Sequence, residues 1–146
     1  IANGRKVVVT GRSMIQNTDI ARRLGYLKVS DSDIIDAYDL KGIPADQVVI
    51  MCTGSQGEPL SALARIANGE HKQLSLRSGD TVIMSSRVIP GNARAVSKVI
   101  NQMYRQGAKV YHDARRTIHA TGHACRDELR AVLDTVQPEY FVPGHG

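Results

Sequence analysis

The stretch Gln47–Pro59, QVVIMCTGSQGEP, decides how the chain folds. QVVIMC is apolar without alternation, which suits a strand covered on both faces, central and parallel in its sheet. Thr53-Gly54-Ser55-Gln56-Gly57-Glu58 is then a loop punctuated by two glycines, and Pro59 suits the first turn of a helix. Leu60, Leu63, Ala64 and Ala67 follow at helical spacing until Gly69 closes the segment. Strand, glycine loop and helix form the unit of a parallel α/β sheet.

The unit recurs outward in both directions. Lys6–Thr10 (KVVVT) is a strand broken by Gly11; Ser13 is placed to cap a helix ending near Leu24, with Met14, Ala21 and Leu24 inward and Gly25 at its end. Tyr26 to Lys41, rich in aspartate, reads as surface loops and short turns. Lys72–Leu76 reads as a short strand and Thr81–Ser85 (TVIMS) as a longer one. Residues 92–106 predict a helix with Ala93, Val96, Val99, Ile100 and Met103 buried, and Lys109-Val110-Tyr111 starts the next strand. The last helix carries Leu129, Val132, Leu133 and Val136 on one face. Pro138 stops it, and Tyr140-Phe141-Val142 reads as a short buried strand. Four such units predict an open, mostly parallel α/β sheet, Rossmann-like, with helices on both faces and right-handed crossovers.

With 146 residues and no long linker, the chain is expected to form one domain. Its net charge of +5 favours polyanionic partners, though weakly. Cys52 and Cys125 stand in no CxxC or ligand spacing, which fits a reduced cytosolic protein, and no apolar run is long enough to span a bilayer. A chain that opens without Met and stops just past a histidine reads as a piece of something longer.

Sheets of this kind bind ligands beyond the carboxyl ends of their strands. TGR (10–12), TGSQGEP (53–59), SSRVIPGN (85–92), HATGH (119–123) and PGHG (143–146) are therefore the loops that matter. TGSQGEP is placed to cradle a phosphate, yet it fits neither standard nucleotide motif, and Glu58 would repel an anion. Either Glu58 favours the helix dipole at the first turn, or it accepts a hydrogen bond from an imidazole. His119 and His123 have ligand spacing for a helix, but Gly122 argues for a loop. The last helix and strand would carry them and His145 to neighbouring edges of one sheet, where metal and phosphate both remain open. His71 and His112 read as ordinary surface histidines. Arg12, Arg87, Arg115 and Arg116 together could line a track for a phosphodiester backbone.

Taken in order, TGSQGEP, SSRVIPGN, HATGHACRDEL and FVPGHG resemble the β-CASP region of the ribonuclease J family, nucleases of the metallo-β-lactamase superfamily. The resemblance covers residues 1–146, which would make the chain a β-CASP domain cut from, or inserted in, a larger nuclease and ending at the motif C loop. It implies that Glu58 (motif A) and His123 (motif B) are catalytic, and that His145 (motif C) ligates a metal. Ser55, His119 and Thr121 would hold RNA phosphates. The complete enzyme would hydrolyse RNA with two divalent ions, zinc and/or manganese, acting as a 5′-to-3′ exonuclease and as an endonuclease in RNA maturation and decay. It would prefer 5′-monophosphate ends, work with the metallo-β-lactamase domain of the same chain, form homo-oligomers and reside in the cytoplasm, away from membranes. The family's HxHxDH metal motif is absent from this chain, so the chain alone is expected to hold no metal and to be inactive. A non-catalytic RNA-binding α/β module is the alternative, and a small-molecule enzyme with a nucleotide or sugar phosphate at TGSQGEP is a weaker third.

Overall fold

The computed structural model of the chain describes residues 3–112, 118–119 and 122–142. Strand β1 (Lys6–Thr10) runs parallel between β2 (Ile34–Ile35) and β3 (Val48–Cys52), with Val8 opposite Ile35 on one side and Ile50 on the other. A second parallel pair joins β4 (Thr81–Met84) to β5 (Lys109–His112), Ile83 opposite Tyr111. Helices α1 (Arg12–Arg23), α2 (Ala62–Ala67), α3 (Ala93–Arg105) and α4 (Arg126–Val136) follow β1, β3, β4 and β5 in turn. Every described strand pair is parallel, as the recurring strand–loop–helix units predict, and the fold is α/β.

The core gathers around α2, whose Ala62, Leu63, Ala64, Ile66 and Ala67 are all buried. Leu63, Ala64 and Ala67 pack with Met84 of β4, Val96, Val99 and Met103 of α3, and Val110 of β5. Ile66 joins Val8 and Leu74 in a second cluster. On α3 the predicted stripe is buried at Val96, Val99 and Met103 and half-buried at Ile100, whereas Ala93 is exposed.

Several expectations are corrected. β3 is an edge strand of its sheet and β1 is the central one. Val49, Ile50 and Met51 are 38%, 38% and 47% exposed, so the apolar run marks a strand left partly uncovered on both faces by the described residues rather than a central position. Within the aspartate-rich stretch, Ile34–Ile35 pairs as β2, and Asp36 accepts from the Tyr38 N–H at 2.9 Å to start a 3-10 turn. Ser13 does not cap α1, which begins one residue after Gly11. A Cβ on Gly11 would lie 2.3 Å from Thr53 Oγ1, so a close approach between the β1 and β3 ends fixes the turn. Pro59 precedes α2 by three residues. Ser61 is the cap, its Oγ accepting from the Ala64 N–H at 3.3 Å.

Lys72–Leu76 is no strand, because His71 Nδ1 accepts the backbone N–H of Gln73 at 3.3 Å and of Leu74 at 3.2 Å, groups a ladder would have used. His71 is thus a half-buried turn-former rather than a surface residue. Burial, and then the nearby Arg65 cation, hold its pKa below the usual imidazole value. The stripe of α4 is laid out as predicted but exposed: Leu129 is 52%, Val132 58% and Val136 65% accessible. Tyr140, Phe141 and Val142, at 81%, 62% and 84%, form no strand, since no described strand pairs with them. Among the described residues no helix is long and apolar enough to cross a membrane.

Candidate functional site

The loop after β3 is shaped by its glycines. Gly54 (φ 115°) and Gly57 (φ 77°) are both buried in backbone conformations that L side chains avoid. A Cβ on Gly57 would lie 2.6 Å from the Ala95 carbonyl carbon and 2.8 Å from Val96 N, so this loop rests on the backbone of the first turn of α3. The Gly57 N–H donates to the Gly54 carbonyl at 3.1 Å and the Leu63 N–H to the Thr53 carbonyl at 3.0 Å, tying the loop to itself and to α2.

Gln56, between those glycines, bridges to the loop after β4. Its Nε2 donates to the Arg87 carbonyl at 2.8 Å, and its Oε1 accepts from the Ile89 N–H at 3.0 Å and from Asn92 Nδ2 at 3.4 Å. The same β4 loop is joined on its other side to residues 118–119. Ser85 Oγ donates to the Ile118 carbonyl at 2.9 Å, and His119 Nδ1 lies 3.0 Å from the Ser85 carbonyl. A carbonyl only accepts, so Nδ1 carries a proton there and Nε2 is left for another partner. Three loops from separate strands thus meet at residues 85–92.

Ser55 sits half-buried on the Gln56 loop, and His119 is half-buried against β4. Glu58 is exposed and stands three residues before the α2 cap, outside the first helical turn, so the dipole reading fails for it. His123 is exposed on the approach to α4, where the Cys125 N–H donates to Glu128 Oε2 at 2.7 Å. That bond holds the Glu128 carboxyl below its usual range. Thr121, His145, Arg115 and Arg116 lie outside the described residues. Both cysteines are free thiols, and burial pushes that of Cys52 up, so it stays protonated at neutral pH. Among the described residues no three His, Cys, Asp or Glu side chains converge on a point where a metal ion would fit. Sequence reasoning weighed the neighbours of Gln56 and missed Gln56 itself. Its signal was a long amide between two glycines, able to reach out of a loop held close to α3.

A Rossmann-like α/β domain, with a glycine loop and a histidine segment at the carboxyl ends of parallel strands, is the class these elements define. Residues 1–103 match the sequence model of the ribonuclease J β-CASP domain, and residues 107–146 that of the Zn-dependent metallo-hydrolase RNA specificity domain. The chain belongs to the ribonuclease J β-CASP family. It is 47% identical over 146 residues to ribonuclease J of Mycolicibacterium smegmatis, covering 100% of this chain and 26% of that protein. Ribonuclease J 1 of Streptococcus pyogenes gives the same identity and coverage. Ribonuclease J of Thermus thermophilus is 46% identical over 143 residues, 98% of this chain and 25% of its own length. The chain thus spans about a quarter of the length of these relatives.

Proposed function

We propose that the chain is the β-CASP and RNA-specificity part of a metal-dependent ribonuclease that hydrolyses RNA phosphodiester bonds. The observation that carries this reading is the junction at residues 85–92. There Gln56 and His119 bring the two polar loops quoted in the family resemblance to one edge of the fold. Identity of 46–47% to proteins named ribonuclease J supports it. In this reading Ser55, His119 and Thr121 hold RNA phosphates, and Glu58 and His123 act at the scissile bond. His119 is suited to its role because the Ser85 carbonyl takes Nδ1, so that the imidazolium form has its Nε2–H left to donate to a phosphate oxygen.

His145 ligates one of two divalent ions, zinc or manganese, whose other ligands come from a metallo-β-lactamase domain of the same polypeptide. The complete enzyme works in the cytoplasm as a homo-oligomer. It degrades and matures RNA from 5′-monophosphate ends and also cuts internally. The chain alone is inactive.

The test is cleavage of 5′-monophosphorylated RNA with manganese or zinc, by this chain alone and by the complete open reading frame. Activity of the whole with silence of the part is expected, as is loss of cleavage in whole-enzyme His123→Ala and His145→Ala. Robust cleavage by the chain alone, surviving His145→Ala, would place the chemistry elsewhere. Metal-indifferent RNA binding without cleavage by the whole would make it a binding module.

A further inference from the structure

The net charge of +5 is not spread over the chain. Residues 81–112 contain Arg87, Arg94, Lys98, Arg105 and Lys109 and no Asp or Glu, while the other 14 Lys and Arg are matched by 14 Asp and Glu. The whole excess therefore sits in the segment β4–α3–β5. On α1 and α4 four cations have carboxylate neighbours. Arg22 pairs with Asp31 and Arg23 with Asp19 on or beside α1, and Arg126 pairs with Asp127 and Arg130 with Asp134 on α4. α3 offers its cations no such partner within its own length.

Arg94, Lys98, Asn101 and Arg105 fall within roughly 60° of helical arc, with Ser97 beside them, directly opposite the buried Val96–Val99–Met103 stripe. All five side chains are exposed and line one shallow groove along the helix. From Arg94 to Arg105 the stripe runs about 16 Å. It starts two residues past Asn92, which Gln56 ties to the glycine loop.

We propose that this face of α3 is a second RNA-backbone contact, a cationic track that takes the strand away from the candidate site and holds several successive phosphates. The inference rests on the ribonuclease reading. Charge complementarity selects the occupant: three uncompensated cations in line, interleaved with the hydrogen-bonding Ser97 and Asn101, suit a repeating anion and read no bases, the neighbouring Tyr104 being tied by its hydroxyl to the Val110 carbonyl. The contact is sequence-independent, and it acts on affinity for strands long enough to run along the helix.

The experiment uses the complete enzyme and a long, cleavage-resistant 2′-O-methyl oligoribonucleotide, with affinity measured as a function of salt. Each phosphate contact to a single strand contributes about 0.7 to the slope of log K against log salt, so Arg94→Gln/Lys98→Gln/Arg105→Gln is expected to flatten it by about 2. Affinity should fall on the order of a hundredfold at 0.1 M salt. Lys98→Arg should keep the wild-type slope. Arg22→Gln/Arg23→Gln/Arg126→Gln, which removes equal charge from paired positions, should flatten it far less.

An unchanged slope in the α3 variant, with wild-type enzyme that binds and cleaves RNA, overturns the track and leaves the ribonuclease reading standing. That is also the result if the face serves an acidic protein or only solvent. Equal flattening by both triple variants overturns it too, reducing the effect to net charge. Wild-type enzyme that neither binds nor cleaves RNA overturns both readings.

Discussion

Gly57 and Gly69 form a matched pair. Both sit in the left-handed region, at φ 77° and 74°, but a Cβ on Gly57 would meet the Ala95 carbonyl carbon at 2.6 Å and Val96 N at 2.8 Å, while one on Gly69 meets nothing within 4 Å. Replacing each by alanine applies the same conformational cost, about 1–2 kcal/mol for an L residue in that region, offset by about 0.4–1 kcal/mol from the stiffer unfolded chain. Gly69→Ala should therefore cost about 0.5–1 kcal/mol. Gly57→Ala adds overpacking against a helix backbone that cannot rotate away, about 1–3 kcal/mol more, for a total of about 1.5–4 kcal/mol. Denaturant unfolding followed by far-ultraviolet circular dichroism measures both. Whole-enzyme cleavage should fall with Gly57→Ala and not with Gly69→Ala, because only the first displaces the loop that carries Ser55 and Gln56. Equal losses of stability in the two variants would refute the claim that the loop rests on α3.

Other consequences are open to direct measurement. Gln56→Ala removes three hydrogen bonds between loops, worth about 1–3 kcal/mol in all at these partly exposed positions; whole-enzyme cleavage should drop with it, and wild-type activity would show that the bridge is dispensable. His119→Asn keeps a donor near the Nδ1 position but loses Nε2. Stability should stay within about 0.5 kcal/mol of wild type, while RNA cleavage falls on the order of ten- to a hundredfold, the worth of one charged contact. Full activity would dismiss the phosphate role. The depressed pKa of His71 makes the unfolded chain the better proton binder. Its stabilisation is therefore complete above the unfolded value near 6.5 and is lost as pH falls through the lower folded value. Unfolding free energy should decline below pH 6.5 more steeply in wild type than in His71→Leu, and parallel curves would contradict the assignment.

The parallel pairing of β1, β3, β4 and β5 was legible because a strand, a loop and a helix recur along the chain, and the α3 stripe because its period is unambiguous. Position within the sheet was not. Uniform hydrophobicity says that both faces of β3 are to be covered, and cannot say whether the cover is a neighbour in this chain. The exposed stripe of α4 and the exposed Tyr140-Phe141-Val142 were overread for the same reason. Lys72–Leu76 failed because an imidazole two residues upstream captured amides that propensity assigns to a ladder. The loops at the carboxyl ends could be picked out by residue type. The contacts that join them, Gln56 to Arg87 and Ile89, and His119 to Ser85, span 31 to 34 residues and have no local signature.

One of those contacts doubles as a reporter. Ile89 is 56% exposed on an irregular loop, where a backbone amide ordinarily exchanges with solvent almost unhindered, yet its N–H points at Gln56 Oε1. Its deuterium uptake therefore clocks how often the two loops part company, residue-resolved and without a label. RNA that grips either loop should slow that clock, and RNA that prises them apart should speed it, so a single amide can tell clamping from opening.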